Sequence, residues 1–176
     1  MRFRKINAVV SLLASVLILD HAIFLAAWML SLGNIPKNEN YMPWVLTCVV
    51  AIHALTSIGL AFYSRKGCQK HRSKAYPKMN IPTIIQRISG VLMIIFTWLH
   101  IAGTIGIMTP PQVVHAIVPP LFFLLVMAHV AVSVSKAFIT LGIGNAKFVK
   151  AVDIVIKVIC AATLIAALTG FYLYKV

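Results

Sequence analysis

Four histidines, His21, His53, His100 and His129, each fall well inside a different long apolar segment. An ionisable side chain in hydrocarbon is costly, so such a residue marks a functional site by default. Neutral imidazole is also a common metal ligand and binds haem iron axially. One histidine on each of four successive segments therefore reads as the ligand set of two metal centres, each held by two imidazoles from different helices. The competing reading is hydrogen bonding between helices, which membrane bundles also use. Small residues beside the histidines (Ala22, Ala54, Ala102, Gly103, Ala128 and Ala131) favour ligation, because a flat macrocycle between helices needs room.

The elements that must position these residues are all of one kind. The chain has 176 residues, of which 61% are hydrophobic and only 11% charged, against about a quarter charged in soluble domains. Its mean hydropathy is +0.95. Five apolar stretches, roughly 8–32, 43–63, 83–107, 113–139 and 150–174, are long enough to cross a hydrocarbon core, which takes about 20 helical residues. Helices satisfy all their backbone groups internally, so the expected fold is an all-α membrane protein, a single domain over 1–176 with five transmembrane helices. Between the stretches lie Asn34 to Asn40, a basic loop from Ser64 to Asn80, the turn at Thr109-Pro110-Pro111, and Thr140 to Lys147. Asp20-His21 interrupts the first apolar run, which does not suit a signal peptide, and the segment is expected to be retained.

The net charge of +13 is not a nucleic-acid footprint, because it is sorted by loop. Arg2, Arg4 and Lys5, then Arg65, Lys66, Lys70, Arg72, Lys74 and Lys78, then Lys136, Lys147 and Lys150 fall on one side, with Arg87 just inside the third helix. The other side holds Lys37 and Lys175. By the positive-inside rule the N-terminus is cytoplasmic and the C-terminus outside, in a cell inner (cytoplasmic) membrane. Cys48, Cys68 and Cys160 form no C-x-x-C, which argues against covalent haem attachment and a thiolate zinc site.

Depth sorts the histidines. His21 lies 16 residues beyond Lys5 and His100 13 beyond Arg87, about 24 and 20 Å of helix. His53 is 12 residues from Arg65 and His129 is 7 from Lys136, about 18 and 10 Å. The expected pairs are an outer one, His21 with His100, and an inner one, His53 with His129.

Gln86-Arg87-Ile88-Ser89-Gly90, followed by an apolar helix reaching Trp98-Leu99-His100, resembles the cytochrome b membrane anchor of succinate dehydrogenases and fumarate reductases, in the five-helix, di-haem, single-subunit form. The likeness continues in His53-Ala54 running to Ala61-Phe62-Tyr63, and in His129 followed by an apolar stretch to Thr140-Leu141-Gly142-Ile143. The resemblance implies two haems b and menaquinone as substrate, with a flavoprotein and an iron–sulfur subunit docked on the cytoplasmic face. A higher oligomer of that complex is compatible with it. The succinate or fumarate chemistry then belongs to the partners, and this chain carries electrons between the iron–sulfur subunit and quinone. Arg87 and Ser89 match motif positions that face haem propionates or the quinone region; a guanidinium suits a carboxylate, and a snorkelling interfacial role for Arg87 stays open. His115, beside Pro119-Pro120, is either a propionate or quinone partner or an interfacial histidine. Two rivals remain: the cytochrome b anchor of a hydrogenase or formate dehydrogenase, and a haem-free transporter or structural membrane protein.

Asp20 is one of only three acidic residues and lies 15 residues beyond Lys5, about 22 Å along the helix. Quinone turnover exchanges protons, and a carboxyl at that depth is a candidate carrier; the plainer role is a protonated group bonded to a neighbouring helix. Asp20→Asn is expected to retain both haems while slowing quinone turnover, measured by quinol oxidation in membranes. Normal turnover, or loss of haem, removes Asp20 from proton transfer.

Overall fold

The structure, a computed structural model, describes residues 2–31, 42–70, 81–107 and 112–175. The described residues form five helices and no strand: α1 (Arg2–Leu30), α2 (Met42–Lys70), α3 (Ile81–Thr104), α4 (Gln112–Leu141) and α5 (Ala146–Lys175). All five are long and apolar enough to cross a membrane.

The helices outrun the apolar stretches. The first begins at Arg2 rather than residue 8, and the second continues to Lys70, through residues expected to open the basic loop. Apolarity marks where hydrocarbon lies, whereas a helix stops only where its last carbonyls find other partners. Two such stops are visible. At the end of α3 the Ile107 N–H donates to the Ala102 carbonyl at 3.0 Å, with Gly106 at a φ of 75°. At the end of α4 the Ile143 N–H donates to the Phe138 carbonyl at 3.1 Å, with Gly142 at a φ of 74°. Both are glycine-dependent caps in which the left-handed residue turns the chain out of the helix. Asn145 then opens α5, its Oδ1 accepting the Phe148 N–H at 2.9 Å.

The packing is uneven. α1, α4 and α5 contact one another and form the centre, while α2 packs chiefly on α1 and α3 chiefly on α4. Small side chains set the central contacts. On α1 the buried residues are Ala8, Ser11, Ala14, Ser15, Ala22, Ala26 and Met29; on α5 they include Cys160, Thr163 and Ala167. Such spacing puts one small-residue stripe on each helix and lets the backbones approach closely, the usual basis of helix association where lipid removes the hydrophobic drive. The bulk of the core comes from α4, where Val126, Met127, Val130 and Val134 pack against Ala22 and Cys160. Large apolar side chains such as Leu55, Ile58, Val91 and Ile165 are exposed on the outside, as expected of surfaces facing lipid tails.

Gly170 is where α1 and α5 come closest. A Cβ there would lie 2.8 Å from Met29 Cβ and 3.0 Å from the Leu30 nitrogen. Gly103, by contrast, has nothing within 4 Å of the same position. Gly170→Ala is therefore expected to destabilise the bundle by about 1–3 kcal/mol, the scale of an overpacked core. Gly103→Ala is expected to be near neutral. Thermal unfolding in detergent checks this, and equal melting of the two variants overturns it.

Candidate functional site

The four histidines project from α1, α2, α3 and α4 and come together in pairs. His21 and His100 lie within electrostatic range of each other, as do His53 and His129. These are the pairs that depth along the helices separates.

His21 and His100 share a cavity of about 440 Å3 between all five helices, within the range of about 300–1,000 Å3 typical of small-molecule sites. Its walls are almost wholly apolar, with Leu25 from α1, Val50 from α2, Met93 from α3 and Phe123 from α4, and Phe171 of α5 closing it. Thr47 and Thr97 are its other polar residues. Phe122 lies against the His100 ring, centroids 5.5 Å apart and planes at 38°. Pro119 and Pro120 sit in α4 and line the wall. Neither has an N–H to give to the preceding turn, so the helix is loosened beside the space it borders.

The other pair is held by a polar network. Ser89 is buried, and its Oγ is 3.0 Å from His129 Nδ1. The hydroxyl has one hydrogen, and it is donated to the Ile85 carbonyl at 2.6 Å. Turned toward the ring, the hydroxyl would donate to Nδ1; with its hydrogen on the Ile85 carbonyl, Ser89 Oγ accepts and His129 carries its proton on Nδ1. The Gln86 carbonyl, which can only accept, faces the same ring and lies 3.4 Å from Ser89 Oγ. That tautomer leaves the Nε2 lone pair for a metal, the arrangement in which a second group orients a ligating imidazole. Gly90 makes the approach possible, since a Cβ there would lie 3.2 Å from His129 Cε1. On the facing side, His53 Nδ1 is buried without a hydrogen-bond partner among the described residues. A buried imidazole nitrogen left unbonded costs about 1–3 kcal/mol, so this ring is not provided for by the described residues alone.

The network runs on toward the basic end. Gln86 Nε2 donates to Ser133 Oγ at 3.2 Å, while Lys136 Nζ donates to Gln86 Oε1 at 2.9 Å and to Thr83 Oγ1 at 3.0 Å. A second link joins α1 and α2, where Thr56 and Ser57 reach Asn7 Oδ1 at 2.7 and 3.1 Å. Sequence reading missed both. Their signal was present as spacing: Thr83, Gln86 and Ser89 recur every three residues on α3, and His129, Ser133 and Lys136 at steps of four and three on α4.

Other expected site residues are placed as follows. Ser89 Oγ lies against His129 Nδ1, a contact between helices that the motif by itself does not indicate. Arg87 and Asp20 are exposed, and Asp20 is not among the residues lining the cavity. Arg72 and Lys74 of the basic loop lie outside the described residues; Lys70 ends α2 and His115 falls in the first turn of α4, with their side chains outside what is described.

No family model, curated protein or solved structure matches this chain.

What the site can do follows from its own groups. Each level brings two imidazoles from different helices within electrostatic range of each other. Two imidazoles facing an apolar space fit a metal that arrives already held by a flat organic ring, which needs only axial ligands. His129 is expected to show the Nδ1–H tautomer by nitrogen-15 NMR, and Ser89→Ala to increase the Nε2–H form. A dominant Nε2–H form in the unmodified protein overturns the assignment.

Proposed function

We propose that this chain is the membrane-anchor cytochrome b subunit of a succinate dehydrogenase or fumarate reductase complex, carrying electrons between an iron–sulfur subunit and menaquinone. The observation that carries the reading is the sorting of four transmembrane histidines, from four helices, into two electrostatic pairs. The apolar cavity bordered by His21 and His100 and the 3.0 Å contact of Ser89 Oγ with His129 Nδ1 support it. The Q-R-x-S-G run that carries the family resemblance is also the run that grips His129, through Ser89 and Gly90.

In this reading His21 and His100 hold one haem b, and His53 and His129 hold the other. The two haems supply one-electron carriers spaced across the bilayer. The chain's own part is to orient and to exclude. Ser89 keeps the Nε2 lone pair of His129 available, Phe122 packs against the His100 ring, and the apolar walls keep water from the outer pair. Low polarity and limited solvent access are among the levers by which a protein sets the potential of such a centre. The surplus of Lys and Arg at the end bearing the N-terminus supports a cytoplasmic orientation there and a basic face for soluble subunits. Dicarboxylate chemistry belongs to those subunits.

Protein purified from membranes is expected to contain two b-type haems with low-spin, bis-imidazole spectra. His21→Ala and His100→Ala should each remove the same redox component, and His53→Ala and His129→Ala the other, as read by reduced-minus-oxidised spectra in a redox titration. Absence of haem refutes the function, and loss of one component by both His21→Ala and His53→Ala refutes the pairing.

A further inference from the structure

Lys136 has an unbalanced charge. Its ammonium is part-buried inside α4 and bonded only to the neutral oxygens Thr83 Oγ1 and Gln86 Oε1. Arg87, the next residue after Gln86, is an electrostatic neighbour of the same amine. Two cations side by side repel each other, and the repulsion strengthens as the surroundings become less polar.

Among the described residues no acid neutralises them. The three acidic residues are Asp20, Glu39 and Asp153. Asp20 lies far along α1 from Arg2, near the level of the His21 pair, and Glu39 is outside the described residues. Asp153 is near the right level but is engaged elsewhere, in an ion pair with Lys157 one turn on along α5 and beside the Ser135 hydroxyl. Ser135 and Lys136 are successive residues on α4 and point about 100° apart. Among the described residues neither Lys136 nor Arg87 forms an ion pair. No counter-charge for the two cations is present among the described residues.

We propose that Lys136 and Arg87, with Thr83 at their side, form a binding site for an oxyanion on the α3–α4 face, and that its occupant is the phosphodiester of an anionic lipid. Arg87 shares its side of α3 with Ile84, Ile88 and Val91, all exposed where lipid tails lie. Lys136 is five residues short of the end of α4, about 7 Å below the helix end, within reach of the headgroup layer for a long side chain. A basic pocket between transmembrane helices at such an end is a recognised setting for acidic headgroups. The same oxyanion chemistry is offered by a carboxylate arm of a bound macrocycle, and the test separates the two sources. The site stands on charge balance and not on the haem reading.

The test uses the full chain purified in mild detergent and vesicles of phosphatidylglycerol or phosphatidylcholine. Phosphatidylglycerol, but not phosphatidylcholine, is expected to raise the unfolding temperature and to be retained in native mass spectra. Lys136→Gln and Arg87→Gln should each weaken that lipid's binding about fivefold, Lys136→Arg should restore it, and Lys150→Gln, an exposed cation at the same end, should leave it unchanged. If the lipid response survives both glutamine variants while one redox component alone shifts in potential, the oxyanion is a macrocycle carboxylate and the lipid proposal is overturned. If neither lipid binding nor potential responds to Lys136→Gln or Arg87→Gln, the site is refuted, with the haem count untouched.

Discussion

Everything polar in this bundle answers to one constraint: inside hydrocarbon a donor or acceptor must find its partner within the protein or in what the protein binds. The contact between Ser89 and His129 shows how tightly that rule fixes chemistry. With its one hydrogen given to the Ile85 carbonyl, the hydroxyl has only its oxygen to offer a ring on another helix, which then carries its proton on the facing nitrogen. The same rule organises Gln86, Ser133 and Lys136 into a chain of bonds between α3 and α4. Each such interhelical bond contributes only about 0.6 kcal/mol on average in a membrane. Their value lies less in holding the helices together than in deciding which way each group faces.

Cohesion comes from the centre. α1 and α5 meet along small residues, with Gly170 against Met29, and α4 supplies the larger side chains of the core. This division lets α2 and α3 stand apart, each on its own support, so that an apolar space opens beside His21 and His100. Two consecutive prolines in α4 border that space, where missing N–H donors are tolerated because neighbouring helices cover the turn.

Helix number was legible in the sequence because spanning hydrocarbon demands long apolar runs, and no other element meets the demand. The helix ends were not, since Arg65, Lys66 and Lys70 read as loop by polarity while the backbone stays helical through the interface. The histidines stood out because imidazole is rare at such depth. Depth counting grouped them as the electrostatics does, because one residue advances each helix by a constant rise. Lys136 was read from the sequence only as a topology charge near the end of the fourth stretch; its bonds to α3 depend on the relative rotation of two helices, which no single-helix pattern contains. Ser89 was singled out by its motif, but its partner lies forty positions away, and only packing brings the two together.

No residue of the α2 span is buried within the protein, whereas about a quarter of the α1 and α4 spans is. This has a consequence for the order of assembly. Parting α2 from the rest exposes its side chains only to lipid, which solvates them as well as the bundle does, so the free energy at stake is little beyond its contacts with α1. The three central helices can therefore reach their final packing before α2 settles, and α2 carries His53. A rigid, flat group wide enough to touch two helices cannot thread into a closed bundle, but it can enter sideways from the bilayer while one wall is still undocked. On the function proposed above, uptake of such a group by the pair that includes His53 would be a lateral closing step of α2, with the seam of α1 and α5 already formed behind it.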